Sequence, residues 1–203
     1  MKIINLGHAC FKVEGEDASI IFDPYHDNYV PNLSLPKGLI CNQLFISHEH
    51  EDHNARELIE VKNNSKIMYE TIEIPHDKNF GKDRGMNKIH IVYLENFKIV
   101  HLGDIGVLDI SLLQLNNVDV LFVPINGFYT ISSLEAIQLI KMIKPKIVIP
   151  MHYYNKDNQS GYHDGNQIDI FKHKIGAYKE IYEEYVNIKK GDSGIYIFNK
   201  ARQ

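Results

Sequence analysis

A chain of 203 residues is long enough for one well-buried domain and marginal for two, so a single domain spanning residues 1–203 is expected. With 44% hydrophobic and 24% charged residues, the composition excludes disordered and fibrous classes. Lys plus Arg at 22 against Asp plus Glu at 26 gives a net charge of −4, without the basic excess that draws a chain to nucleic acid.

The opening residues Met1 to Phe11 read as a short apolar strand broken by Gly7 and His8 rather than as the continuous apolar core of an export signal. A cytoplasmic protein is expected. The two cysteines, Cys10 and Cys41, are too few for a disulfide framework: Cys10 reads as a small buried hydrophobe and Cys41 as a loop thiol. Lys2–Leu6, Cys10–Val13 and Ser19–Phe22 are β-branched or aromatic runs separated by turn residues, a meander of short strands. The polar, Pro-containing connection Asp27–Lys37 leads to a further strand, Gln43–Ser47, and then to His48-Glu49-His50-Glu51-Asp52-His53. Asn54 is a good N-cap for a helix to about Val61.

Strands return at Lys66–Glu70, Lys88–Leu94 and Phe97–Leu102, with a polar loop Asp77–Asn87 between the first two. A helix is expected near Leu108–Leu115, a buried strand at Val118–Val123, a helix Leu134–Ile143 capped by Ser133, and a strand at Lys146–Met151. Asn166–Ala177 reads as a helix and Gly194–Phe198 as a last strand. The longest apolar stretch is interrupted by Lys144, Pro145 and Lys146, well short of the roughly 20 residues that cross a bilayer, so no membrane association is expected. Mixed strands and helices in layers are the coarse reading.

Eleven histidines are the informative feature, because they cluster beside acidic residues. In extended chain, alternate side chains share a face, so His48 and His50 can point at one ion while Asp52 and His53, past a turn, reach a second. Imidazole and carboxylate without thiolate suit zinc first, with manganese or iron as alternatives, and incomplete protein ligation favours a catalytic over a structural site. Four ligands cannot complete two coordination spheres. His76, Asp104 and His152 each stand where an apolar strand gives way to polar loop, the place where sites assemble in α/β proteins.

With these residues in view, the chain resembles the metallo-β-lactamase fold superfamily, whose H-x-H-x-D-H signature stands here as His48 to His53. Gly7-His8-Ala9-Cys10-Phe11, Asp23-Pro24, His76-Asp77 with Gly81, Arg84-Gly85 and Asn87, His101-Leu102-Gly103-Asp104, and Pro150-Met151-His152-Tyr153 are similar to its compact cytosolic Zn-dependent, lactonase-like branch. The likeness runs over residues 1 to about 153. It implies a four-layer αββα sandwich of two mixed β-sheets flanked by helices. It also implies two divalent metal ions, with His48, His50 and His76 on one, Asp52, His53 and His152 on the other, and Asp104 bridging. A metal-bound hydroxide would then be the nucleophile, with Asp52 orienting it or taking its proton. His8 and Tyr153 are implied as substrate contacts.

Other residues read more plainly. Asp23 braces a ligand histidine or simply forms a turn before Pro24, His101 is packed or supports a ligand, and His26, His90, His163 and His173 lie at the surface. Glu49 and Glu51 face solvent. The function expected is hydrolysis of a small soluble ester, lactone or phosphodiester. The alternatives are a nuclease of the same superfamily, against which the acidic balance argues, and a non-hydrolytic metal-binding or redox protein on the same fold. Exposed tyrosines among the 12 leave room for an oligomer contact, and the loops Asn126–Ser132 and Tyr153–Asn166 are where specificity would lie.

Overall fold

Period-two alternation of apolar side chains shapes the N-terminal sheet. The computed structural model describes residues 1–203. It places β1 (Lys2–Gly7), β2 (Cys10–Glu14) and β3 (Ser19–Phe22) in an antiparallel meander. β4 (Leu39–Cys41) lies apart, while β5 (Gln43–Phe45) pairs in parallel with β3. β6 (Ile59–Val61), β7 (Met68–Pro75), β8 (Met86–Leu94), β9 (Phe97–His101) and β10 (Val120–Pro124) follow. Then come α1 (Ser133–Ile143), β11 (Ile147–Met151), α2 (Gln167–Ile175), β12 (Lys179–Ile181), β13 (Tyr185–Asn187) and β14 (Gly194–Phe198).

Two mixed sheets result, a five-stranded one in the order β13-β1-β2-β3-β5 and a seven-stranded one in the order β12-β14-β11-β10-β9-β8-β7. Alternate residues of each strand sort into separate cores. Ile3, Phe11, Val13, Ile20 and Phe22 of the first sheet meet Val92, Ile99, Val120, Phe122 and Ile149 of the second. The other face of the large sheet, with Ile91, Val100, Leu121 and Val148, is covered by Ala136, Leu139, Ile168 and Phe171 of α1 and α2. This is the layered α/β sandwich the resemblance implied. No helix is long and apolar enough to cross a membrane.

The outer face of the small sheet is covered differently. Ile4, Leu6, Cys10 and Ile21 pack on Tyr25, Val30 and Leu33 of the Pro-containing connection and on Leu39, Cys41 and Ile59. The helix expected over Asn54–Val61 is therefore absent. Only Arg56–Leu58 makes a 3-10 turn, and Ile59–Val61 pairs in parallel with Leu39–Cys41. Two β-branched residues in that short segment favour the strand, and the Asn54 side chain is spent on His26 Nε2 (3.1 Å) and the Glu49 carbonyl (3.2 Å) rather than on a cap. Cys41 consequently sits buried on a strand, not in a loop, and burial pushes its thiol up to about 11.

Three boundaries also shift. β7 runs on to Pro75 because eight residue pairs join it to β8, so the strand expected over Lys66–Glu70 delivers its end at His76. The helix near Leu108 is a 3-10 turn, Ile110–Gln114, capped by Asp109. The cap of α1 is Ser132 instead of Ser133: its hydroxyl accepts from Glu135 N while the Glu135 carboxylate accepts from Ser132 N (2.7 Å), a reciprocal capping box. Ser133 is the first helical residue, and its hydroxyl donates to the Gln167 carbonyl of α2 (2.6 Å).

Candidate metal centre

Strand direction assembles the site. His8 follows β1, Asp23 follows β3, His48 lies three residues beyond β5, His76 follows β7, Asp104 lies three residues beyond β9, and His152 follows β11. β1 and β3 both run antiparallel to β2, and β5 is parallel to β3; β7 and β9 run antiparallel to β8, and β10 and β11 run parallel to β9. All six strands thus end on one rim, where the two sheets meet through a His152 N–H to His8 carbonyl bond of 3.1 Å.

Left-handed backbone makes the turns tight. His8 (φ 56°), Asp23 (φ 42°) and His152 (φ 56°) occupy a region that non-glycine residues seldom adopt, and such positions concentrate at functional sites. Gly103 (φ 55°) lets the chain turn into Asp104, and a Cβ there would stand 2.2 Å from Asn87 Oδ1 and 2.5 Å from Ser47 Cβ. Asn87 latches that turn to β8: its amide donates to the Leu102 carbonyl (2.8 Å) and its Oδ1 accepts from Asp104 N (2.8 Å).

The donor atoms converge in three overlapping groups. Those of His48, His50 and His76 lie within 4.8 Å of one another, as do those of His8, Asp52, His53 and His152, and those of His48, His53 and Asp104. Asp104 Oδ2 stands 3.0 Å from His152 Nε2, 3.3 Å from His53 Nε2 and 3.6 Å from His76 Nε2, between the first two groups. Yet Nε2 of His48, His53, His76 and His152 and Oδ1 of Asp104 are buried with no well-formed hydrogen bond. Each such atom costs about 1–3 kcal/mol when left unpaired. Lone pairs that crowd one point without forming hydrogen bonds fit shared cations, and the imidazole and carboxylate set suits a divalent metal.

A buried carboxylate behind the cluster fixes two of these rings. Asp23 Oδ2 accepts from His53 Nδ1 (3.0 Å) and from the Ser47 hydroxyl (2.6 Å), and Asp23 Oδ1 accepts from Ser47 N (2.7 Å). Ser47 Oγ has one proton, which goes to Asp23, so His48 Nδ1 at 2.8 Å must donate to Ser47 Oγ. Both rings are thereby oriented with Nε2 facing the cluster, the nitrogen through which each would ligate.

Electrostatics keep most donors in their ligating forms. Burial, with His53 close by, lowers His48 to about 2, and burial together with His152 lowers His8 to about 4. Burial raises Asp104 and Asp52, but the facing histidines outweigh it and hold both carboxyls well below the usual range: His152 and His53 act on Asp104, His8 and His53 on Asp52. His53 is the exception. Burial lowers it, and Asp104 and Asp23 on either side prevail and raise it.

The remaining residues fall into place around the cluster. His8 lies among the donors, its Nε2 3.3 Å from Asp52 Oδ2 and its ring 3.9 Å from that of His152. Tyr153 turns away: its hydroxyl donates to the Phe198 carbonyl (2.6 Å), which ties it to β14 instead of to the position expected for a substrate contact. Tyr162 takes the facing position, with its ring 5.5 Å from His8 and 6.2 Å from His152 and its hydroxyl donating to the Tyr29 carbonyl (2.8 Å). It lies in the 153–166 loop singled out for specificity, and its ring meets Tyr129 of the 126–132 loop at 5.8 Å. No local pattern marks it, because only the loop's path brings it there.

His101 uses both ring nitrogens, Nε2 donating to the Ala9 carbonyl (2.9 Å) and Nδ1 accepting from Gly103 N (3.2 Å), so it packs and does not ligate. His90 is buried rather than at the surface, since it shares the inward face of β8 with Val92 and Leu94 and reaches the Ile46 carbonyl at 2.9 Å. His26 is half-buried and bridges Glu51 (3.2 Å) and Glu57 (3.1 Å). His163 and His173 are exposed, as are Glu49 and Glu51.

A two-sheet sandwich carrying a histidine and aspartate cluster on one rim defines a metallo-β-lactamase-fold protein. Residues 2–152 match the beta-lactamase superfamily domain. A UPF0173 protein of Pyrococcus furiosus is 31% identical over 180 residues, covering 75% of this chain and 83% of its own. A UPF0173 metal-dependent hydrolase of Natranaerobius thermophilus is 29% identical over 186 residues, covering 75% and 83%. Among solved structures, a Thermotoga maritima protein assigned as a Zn-dependent hydrolase of the metallo-beta-lactamase superfamily aligns with a TM-score of 0.72 at 25% identity over 97% of both chains. The chain belongs to the UPF0173 metal-dependent hydrolase family of the beta-lactamase superfamily.

Proposed function

We propose that this chain is a binuclear metallohydrolase acting on a small soluble ester, lactone or phosphodiester. The single observation that carries the reading is the convergence of seven donors, His48, His50, Asp52, His53, His76, Asp104 and His152, of which His48, His53, His76, Asp104 and His152 hold buried donor atoms with no hydrogen-bond partner. His48, His50 and His76 would hold one divalent cation, Asp52, His53 and His152 the other, with Asp104 between them. Zinc suits this donor set first, and manganese or iron follow.

When bound, such a pair of ions polarises the carbonyl or phosphoryl oxygen and makes a water molecule acidic near neutral pH. The chain's residues do the rest. Asp52, ionised and half-buried, is placed to orient the attacking water and to accept its proton. Asp23 and Ser47 hold His53 and His48 in the tautomers that leave Nε2 free. Tyr162 and Tyr129 meet ring to ring beside the rim. The acidic balance of the chain argues against a nucleic acid as the substrate.

Metal analysis of protein purified without added metal, combined with a hydrolysis panel of lactones, aryl esters and phosphodiesters, tests the reading. About two metal equivalents and turnover of one bond class are expected, with His50→Ala and Asp104→Asn lowering kcat/KM by at least about a hundredfold. Unchanged turnover in His50→Ala would sink it.

A further inference from the structure

One strong cation beside the cluster has no partner. Arg84 lies in the loop between β7 and β8, and that loop is rigidly shaped: Asp77 accepts backbone N–H bonds from Asn79 (2.8 Å), Gly81 (3.1 Å), Asp83 (3.1 Å) and Arg84 itself (2.8 Å). The guanidinium stacks over the Tyr129 ring, with Cζ 4.5 Å from its centroid. No carboxylate lies within 4.0 Å of it, whereas Arg56 pairs with Glu49 and Arg202 with Glu184. Its Nε is buried and unpartnered, a donor that costs free energy until something accepts from it.

The cleft next to Arg84 points the same way. It has a volume of about 290 Å³, and its lining includes the candidate ligands His48 and His50 together with Arg84, Lys88 and Glu49. Glu49 is its one acidic side chain, and Arg56 grips that carboxylate with both terminal nitrogens. Lys88 forms no ion pair and is exposed. The cleft therefore carries two uncompensated positive charges beside the metal-facing histidines. A guanidinium held over an aromatic ring presents a planar fork that matches the paired oxygens of a carboxylate or phosphoryl group.

We infer that the substrate is anionic, and that Arg84, stacked on Tyr129, binds a carboxylate or phosphoryl group lying next to the bond hydrolysed at the His48, His50 and His76 end of the centre. This deepens the hydrolase reading above and rests on it. Arg84 is thus a specificity-determining residue: the neighbouring metal site works on the scissile bond, and the fork selects which molecules present that bond correctly.

Metal-loaded protein is assayed on three aryl esters that share a leaving group: a neutral acetate, a hemisuccinate carrying a carboxylate, and a phosphonoacetate. One or both anionic esters are expected to exceed the acetate in kcat/KM by at least about tenfold, and whichever does so distinguishes carboxylate from phosphoryl recognition. Arg84→Gln is expected to collapse that ratio by about tenfold or more through KM, and Arg84→Lys, which keeps the charge without the fork, to recover only part of it. Calorimetric binding of succinate and of inorganic phosphate gives a readout free of turnover, with Kd about tenfold weaker in Arg84→Gln. Equal kcat/KM for neutral and anionic esters, or an anion affinity and ester ratio unchanged in both variants, would overturn the inference. If no ester of any kind is cleaved, the hydrolase reading fails, and the anion-binding comparison still decides whether Arg84 takes an oxyanion.

Discussion

At the scale of single residues, the centre depends on side chains that touch no substrate. Asp23 is fully buried and accepts from three donors, His53 Nδ1, Ser47 N and Ser47 Oγ. In Asp23→Asn the amide nitrogen cannot accept from both His53 and Ser47, so both rings lose their enforced tautomer. Metal affinity is expected to fall about ten- to a hundredfold, measured by competition with a chromogenic chelator. Ser47→Ala removes the link to His48 and one bond to Asp23 but leaves the His53–Asp23 bond in place, so a smaller loss, greatest for the equivalent held by His48, is expected; equal loss of both would show that Ser47 acts on the fold and not on one ring.

At the scale of elements, the rim is held by short turns and by staples between strands. Gly103→Ala would drive a methyl into Asn87 and Ser47 at a left-handed position, swinging Asp104 from its place between the histidine groups. Metal content is expected to drop with little change in far-ultraviolet circular dichroism, because the strands themselves do not depend on that turn. Asp119 is a staple of another kind, accepting from Lys98 N, Lys146 Nζ and Lys190 Nζ, each at 2.8 Å, where β9, β10 and β11 begin or adjoin. Burial raises its carboxyl, but the lysines outweigh burial and hold it below 3.8, the ordinary value. Its contribution is full above that value and is lost as pH falls through the lower folded value. Asp119→Asn should cost about 2 kcal/mol at neutral pH in denaturant titration, and the gap to the wild type should close on acidification.

At the scale of the whole molecule, the proposed cations would join the two sheets at the rim, where a backbone bond from His152 N to the His8 carbonyl also links them. Chelation should therefore lower Tm and loosen the rim first, seen as faster amide exchange around His48, Asp104 and His152. The sign of the pH dependence follows from His53. Asp104 and Asp23 overcome burial and raise it above 6.5, so the metal-free protein retains a proton there that a cation must expel. Metal affinity should rise with pH, by up to about tenfold per unit for one proton released, until pH reaches the raised value at which His53 loses that proton unaided. Calorimetry in buffers of different ionisation enthalpy measures that release directly; heats independent of buffer would contradict it.

How far these features were legible depends on the range over which their physics acts. Runs of β-branched and aromatic residues bounded by turn residues marked most strands, because both signals lie within a few neighbouring positions. The six-residue run His48 to His53 marked the centre because four donors fall within six residues. His76, Asp104 and His152 stood out because each follows an apolar run. The strand at Ile59–Val61 escaped, since its partner Leu39–Cys41 lies some twenty residues upstream and three-residue strands carry too little pattern. The resemblance implied Tyr153 as a substrate contact, yet its hydroxyl serves the Phe198 carbonyl. Tyr162 and the stacking of Arg84 on Tyr129 bring together loops far apart in the chain. The sequence by itself determined the layered fold class and the donor types, because both are written in local pattern and side-chain chemistry. Only the tertiary structure decided which tyrosines face the centre, which histidines are spent on backbone carbonyls, and where an unpaired cation waits beside it, because convergence in space is a property of how the chain packs.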